Sequence, residues 1–249
     1  MIRADERGQL TVTDTKLQSN RIPLHRQKRT PLRERILPDY TRGEEIINMV
    51  THIVGGAVGL LILIGSILIG AMHRDPWAIV SGSIYGFLTC TLFVVSSVYH
   101  GLRDGMGKRV MQVIDHCTIY YMIAGTYTPV LLVGIRQQSA VACWVVFGIE
   151  WGCATAAAAL TAIDLKKYAR MSMVCYIAMG WAVIAIVKMT VNAMTLPGFL
   201  WLLGGGLCYT VGAVLYGLGK KHRYMHSVFH CFVNLGSLLQ ALAILFYVL

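Results

Sequence analysis

Seven stretches of roughly twenty apolar residues, separated by short polar or basic segments, constrain this chain more than any other feature. They lie near residues 46–72, 77–99, 113–134, 139–161, 171–190, 199–217 and 226–248. A bilayer's hydrocarbon core is about 30 Å thick, and a helix rising about 1.5 Å per residue crosses it in about twenty residues. Barrel strands need only about ten alternating residues, so runs of this length predict helices. Only 14% of the 249 residues are Asp, Glu, Lys or Arg, against about 25% in an ordinary soluble domain. The predicted fold is all-α: a polytopic seven-transmembrane helix bundle over 46–249, preceded by a basic, polar tail over 1–45 that is expected to be flexible. The chain opens on mixed charges with no apolar run before about residue 46, so no cleavable signal peptide is expected.

Charge sets the orientation. Ten Lys and Arg residues precede residue 46, and three more lie in each of three loops: Arg103, Lys108 and Arg109; Lys166, Lys167 and Arg170; Lys220, Lys221 and Arg223. The other side receives only Arg74, Arg136 and Lys188. This bias predicts a cytoplasmic N-terminus and an outside C-terminus, in the cell membrane, or the inner one of a two-membrane cell. The net charge of +10 raises nucleic acid as a partner, but there is no reading module and no stacking platform beside a basic groove. Anionic headgroups of the inner leaflet are the expected partner of the tail. The seven cysteines all fall inside apolar runs, with no CxxC, and read as small apolar fillers. Glycine pairs such as Gly55-Gly56 with Gly59, and Gly82 with Gly86, suit close helix contact and leave the oligomeric state open.

Ionisable residues are costly in membrane helices and usually face the bundle interior. The topology brings several to one depth at the cytoplasmic side: Ser96 and His100 near the end of the second helix, Asp115 near the start of the third, and His226 and His230 in the first turns of the seventh. Ser96 and His100 are four apart, as are His226 and His230, so each pair shares a helix face. Three imidazoles with a nearby carboxylate suit zinc and leave room for a water, which the metal acidifies. Asp115 either binds the metal directly or, the favoured expectation, acts through that water as general base, with Ser96 orienting the water, holding Asp115 or polarising a substrate carbonyl. An interfacial hydrogen bond to lipid phosphate or backbone is the plainer expectation for a lone histidine. It is favoured for His116, whose side chain points about 100° away from Asp115 on a helix, and for His52, for which a supporting role beside the cluster is the alternative. Glu150, midway along the fourth run, lies about 10–15 Å deeper than the cluster at 1.5 Å per residue. It is expected to be protonated, paired or facing a polar cavity. Pro129, after Thr126-Tyr127-Thr128, predicts a kink with polar packing.

Four motifs carry a family resemblance: EEIINMVTHIVGG (44–56), SSVYH (96–100), DHCTIYYMIAGTYTPV (115–130) and HSVFHCFVNLGS (226–237). In their order they resemble the haemolysin III family, within the wider group of progestin and adiponectin receptors, over about residues 44–249. The resemblance implies zinc ligation by His100, His226 and His230, Asp115 interacting through water, and Ser96 as a polar neighbour. It also implies a likeness to ceramidase-like enzymes. The expected function is zinc-dependent hydrolysis of a lipid amide or ester bond. The alternative is a non-enzymatic, receptor-like or cytolysis-associated membrane protein in which zinc is structural.

Overall fold

The computed structural model describes residues 29–219 and 222–249, together with a short antiparallel pairing of Arg3–Ala4 (β1) with Leu10–Thr11 (β2). The expected flexibility of the tail's first part, and the basic pair Lys220-Lys221, fall outside the described residues. A 3-10 turn at Leu32–Glu34 precedes six long helices: α1 Arg42–Met72, α2 Pro76–Gly101, α3 Met106–Gln138, α4 Ala140–Ile163, α5 Ala169–Leu218 and α6 Met225–Tyr247. All six are long and apolar enough to cross a membrane. Exposed Leu, Ile, Val and Trp side chains cover much of the outer surface, as expected of a body whose solvent is lipid.

Local chemistry sets the helix ends. Thr41 and Glu44 form a reciprocal capping box at the start of α1, which satisfies two of the free N–H groups there. Helix α1 therefore begins at Arg42, before its apolar run. Asp75 caps α2 ahead of Pro76 at its first position, where a missing N–H loses nothing. Pro129 cannot donate a backbone hydrogen bond; the six residues that follow, Val130–Ile135, take wider π-helical hydrogen bonding, and the helix then resumes. The expected kink is thus absorbed within one continuous 33-residue helix.

Residues 192–198, read from sequence as a separator, are almost entirely helical. Thr195 alone leaves helical geometry, with φ 64° and ψ 165°, just before Pro197. The 50 residues of α5 laid straight would span about 75 Å, far beyond a bilayer core. They fold back instead: the Trp181 indole donates to Thr210 Oγ1 at 3.0 Å, although 29 residues of straight helix would separate the two by about 43 Å. Helix α5 is thus two arms, 169–194 and 196–218, with 3-10 geometry at Ala182–Ile186 in the first. At the far end of the bundle, His73 after α1 meets the carbonyl of Leu249 at 2.7 Å, so α1 and α6 run in the same direction.

Packing is tightest between α1 and α2. A Cβ at Gly59 would lie 2.8 Å from the Cα of Cys90, and one at Gly86 2.5 Å from the Cα of Leu63, so these glycines let two backbones meet. The seven cysteines are all free. The ends of α1, α2, α3, α4, α5 and α6 that adjoin the basic loops and the tail gather at one end of the bundle, called here the basic end.

Candidate metal centre

Two structural devices aim the histidines. His100 is the penultimate residue of α2, 3% exposed. His226 and His230 occupy the first two turns of α6, which Tyr224 launches in a left-handed conformation with φ 63°. Such a conformation is costly in a bulky residue and persists when its surroundings hold it. Here the Tyr224 N–H donates to Glu44 Oε1 at 2.7 Å, and Arg223 donates to the other oxygen of the same carboxylate at 3.3 Å. Glu44 therefore caps α1 and anchors the start of α6 together. One turn further in, Ser227 donates to Asn48 Oδ1 at 2.6 Å, fixing the rotation of α6 against α1.

The result is convergence. His226 Nε2 lies 3.3 Å from His100 Nε2 and 3.1 Å from His230 Nε2, and one nitrogen from each ring lies within 4.8 Å of the others. Two of the remaining ring nitrogens have acceptors: His100 Nδ1 meets the Glu45 carboxylate at 2.6 Å, and His230 Nδ1 meets the Asn48 carbonyl at 3.2 Å. A proton on each of those Nδ1 atoms leaves the Nε2 lone pairs facing inward. Lone pairs at this spacing repel unless a cation lies between them. Metal-bound histidines characteristically donate their second nitrogen to a carboxylate or carbonyl. Zinc–nitrogen bonds of 2.0–2.1 Å in a tetrahedron put nitrogens roughly 3.3 Å apart, close to the distances here. The residues fit a metal of this kind, with His100, His226 and His230 as its donors.

Ser96 is buried on the face of α2 that carries His100, and Asp115 lies near both Ser96 and His100. Asp115 thus borders the cluster from α3 and is not among its three donors. His116 is not a donor of the cluster, but it does not point away from Asp115: its Nδ1 meets the Gln112 carbonyl at 2.8 Å and lies 3.9 Å from Asp115 Oδ2. His52 is no interfacial residue: its ring stacks on His230 with centroids 3.6 Å apart, and both its nitrogens are buried without a partner among the described residues. Glu150 is 1% exposed, with Oε2 likewise unpartnered, and lies near Tyr127.

Three participants were not singled out from sequence. Glu45 binds His100 and also Lys108; Asn48 serves His230 and Ser227; Tyr40 stacks on His226 with centroids 5.0 Å apart. Glu45, Asn48 and His52 follow i, i+3, i+7 spacing in an otherwise apolar stretch, so one polar stripe on α1 was there to be found. Tyr40 has no comparable signal.

Apolar helices around an inward-facing trio of imidazoles define a multi-pass membrane protein with a candidate metal centre at one end of its bundle. The family model described as Haemolysin-III related matches residues 40–241. The chain belongs to the haemolysin III family, within the progestin and adiponectin receptor group, and is a multi-pass cell membrane protein. It is 34% identical to Hemolysin-3 of Bacillus cereus over 206 residues, covering 83% of this chain and 92% of the relative. It is 32% identical to the Hemolysin-3 homolog of Bacillus subtilis (strain 168) over 208 residues, 84% and 96% of the two chains. With the human Monocyte to macrophage differentiation factor it shares 27% identity over 221 residues, 86% and 87% of the two chains.

Proposed function

We propose that this protein is a zinc-dependent hydrolase of lipid amide or ester bonds, working at the cytoplasmic side of a seven-crossing bundle. The observation that carries the reading is the convergence of three imidazole nitrogens with spacings of 3.1 and 3.3 Å, bordered by a carboxylate outside the donor set. Three histidine donors are the shell of catalytic zinc, which keeps a fourth position open. Zinc held by His100, His226 and His230 would supply an acidified water and polarise a carbonyl. Asp115 would serve first as general base and then as general acid, taking up one proton during attack on the carbonyl and giving it to the departing amine or alcohol. Ser96 holds the Asp115 carboxyl in place.

The bundle's topology supports this placement. Two arms of α5 make seven passes, and an odd number agrees with α1 and α6 running in one direction. The basic end is read as cytoplasmic through its Lys and Arg excess, which leaves the C-terminus outside. Residues 46–249 form the membrane domain and 1–45 the basic tail, which faces anionic headgroups. The lipid phase delivers the substrate.

The test is lipid turnover by zinc-loaded protein in nanodiscs, across amide and ester lipids. Asp115→Asn is expected to keep its zinc and lose roughly 100-fold or more in turnover. A zinc-loaded wild type inactive on every amide and ester lipid would remove the hydrolase assignment. A second reading has its own support: the cluster joins α2 to α6, and Glu45 and Asn48 extend the tie to α1. In a receptor-like or cytolysis-associated protein, zinc there is a structural lock. That version requires His226→Ala to lose thermal stability in step with its zinc, and Asp115→Asn to leave function intact.

A further inference from the structure

The segment between the described start of the chain and α1 runs across the basic end as a strap, tied at both ends and in the middle. At its beginning, Arg29 donates to the Ile163 carbonyl at 2.7 Å, and the Thr30 N–H donates to Asp164 Oδ2 at 2.8 Å. In the middle, Arg35 reaches the same Ile163 carbonyl at 3.2 Å, while Arg109 donates to the Arg35 carbonyl at 2.9 Å. At its end, Arg223 donates to the Asp39 carbonyl at 3.3 Å, and the capping box begins at Thr41. The strap thus spans from the end of α4 to the beginnings of α1 and α6.

Its last aromatic residue lies on the histidines. The Tyr40 ring is nearly parallel to that of His226, at 12° and 5.0 Å between centroids, and is 6.0 Å from that of His100. Tyr216 lies beside Tyr40, and the Tyr216 ring flanks His226 at 5.1 Å between centroids. His226 is also the one of the three whose outward nitrogen, Nδ1, is buried without a partner among the described residues. Its ring is therefore positioned by aromatic contact where His100 and His230 have hydrogen bonds.

We propose that residues 29–41 are a lid over the histidine cluster, with Tyr40 as its plug and the Asp164 contacts as its latch. The closed lid shields the imidazoles from the aqueous phase at the basic end, so water-soluble reagents reach them only when the strap lifts. Under the hydrolase reading this makes Tyr40 a determinant of specificity, because it bars water-soluble amides and esters and leaves approach to molecules dissolved in the bilayer. The shielding itself rests on the contacts above and does not depend on which metal is bound.

The experiment reads imidazole accessibility directly. Metal-stripped full-length protein in phosphatidylcholine nanodiscs is exposed to diethyl pyrocarbonate, and modification of His226 is followed by peptide mass spectrometry, with exposed His222 as internal reference. His226 in the wild type is expected to react far more slowly than His222. Tyr40→Ala removes the plug, and Asp164→Ala frees the latch at the far end of the strap. Each is expected to speed His226 modification roughly tenfold, as a shifted local opening equilibrium does, while Tyr40→Phe, which keeps the ring, stays within about twofold. A wild-type His226 as reactive as His222 overturns the lid, as does an unchanged rate in both alanine variants. Acceleration in Tyr40→Ala alone reduces it to a single shielding side chain, which also overturns the strap as lid. If Tyr40→Ala does not fold, Asp164→Ala carries the same test. Because no metal is present, the outcome is separate from the success or failure of the zinc reading.

Discussion

The basic end and the middle of the bundle put their buried polar groups to different uses. At the basic end, Glu44 holds Tyr224, Glu45 holds His100, and Asn48 holds Ser227 and His230, ties that join α1, α2 and α6 and leave three imidazole nitrogens pointing at one place. In the middle, Glu150 stands with Oε2 unpartnered, between helices whose own hydrogen bonding is irregular. Tyr127 there donates to the carbonyls of Met179 and Gly180 and accepts from the Val183 N–H. It patches the backbone where the first arm of α5 passes into 3-10 geometry. The contrast separates two uses of polar groups in membranes. A network that turns three imidazole nitrogens toward one point implies a ligand at that point, whereas hydroxyls that mend broken helices imply structure.

Removing a ligand should give the largest effect. His100→Ala or His230→Ala is expected to weaken zinc binding by well over 100-fold, since loss of a supporting partner alone costs roughly 10–100-fold. Zinc content after equilibrium dialysis measures it, and retention of wild-type affinity would dissolve the distinction between the two regions. Next comes Glu45→Gln, which keeps the shape but weakens the bond to His100 Nδ1. A loss of roughly 10–100-fold in zinc affinity is expected, read by competition with a chromophoric chelator. An unchanged affinity would leave Glu45 as a partner of Lys108 only.

A smaller effect is expected from the latch. Burial disfavours ionisation of Asp164, but the N–H groups of Thr30 and Lys167 and the nearby Arg35 charge outweigh it and hold its carboxyl below the usual carboxylate range. A carboxylate whose pKa falls on folding stabilises the fold above its unfolded pKa of about 3.9, and that contribution fades as pH falls through the lower folded value. Asp164→Ala is therefore expected to lower stability by about 1–3 kcal/mol near neutral pH. The gap in thermal midpoint to wild type should then close in acid; a gap that does not depend on pH would mean that the carboxylate charge is not what ties the strap. Smallest of all, Glu150→Gln is expected to leave zinc affinity within about twofold, because well-separated sites without shared partners behave independently. A large drop in zinc affinity would couple the middle of the bundle to the basic end.

The apolar runs, their approximate bounds and the histidine pairs at i, i+4 were readable in the sequence, because run length and helical period are local properties. So was the stripe of Glu45, Asn48 and His52, although only His52 drew notice. Its stacking on His230 was not readable, since it depends on how closely Gly55 and Gly59 let α1 approach its neighbours. The fold-back of α5 shows the same limit from the other side. Polar residues between 192 and 198 marked a break, yet helical hydrogen bonding runs through them except at Thr195.

By itself the sequence determined that this chain lives in a membrane, which residues at one end of it have metal-binding chemistry, and the family to which they point. Those properties follow from composition, period and motif order. Tertiary structure alone decided that Nε2 is the inward nitrogen of each ring, that Glu45 and Asn48 hold the outward nitrogens of His100 and His230, and that Tyr40 stacks on His226. These relations join residues up to 186 positions apart. They arise where helix ends meet, and no periodicity within one segment encodes how another segment will rotate against it.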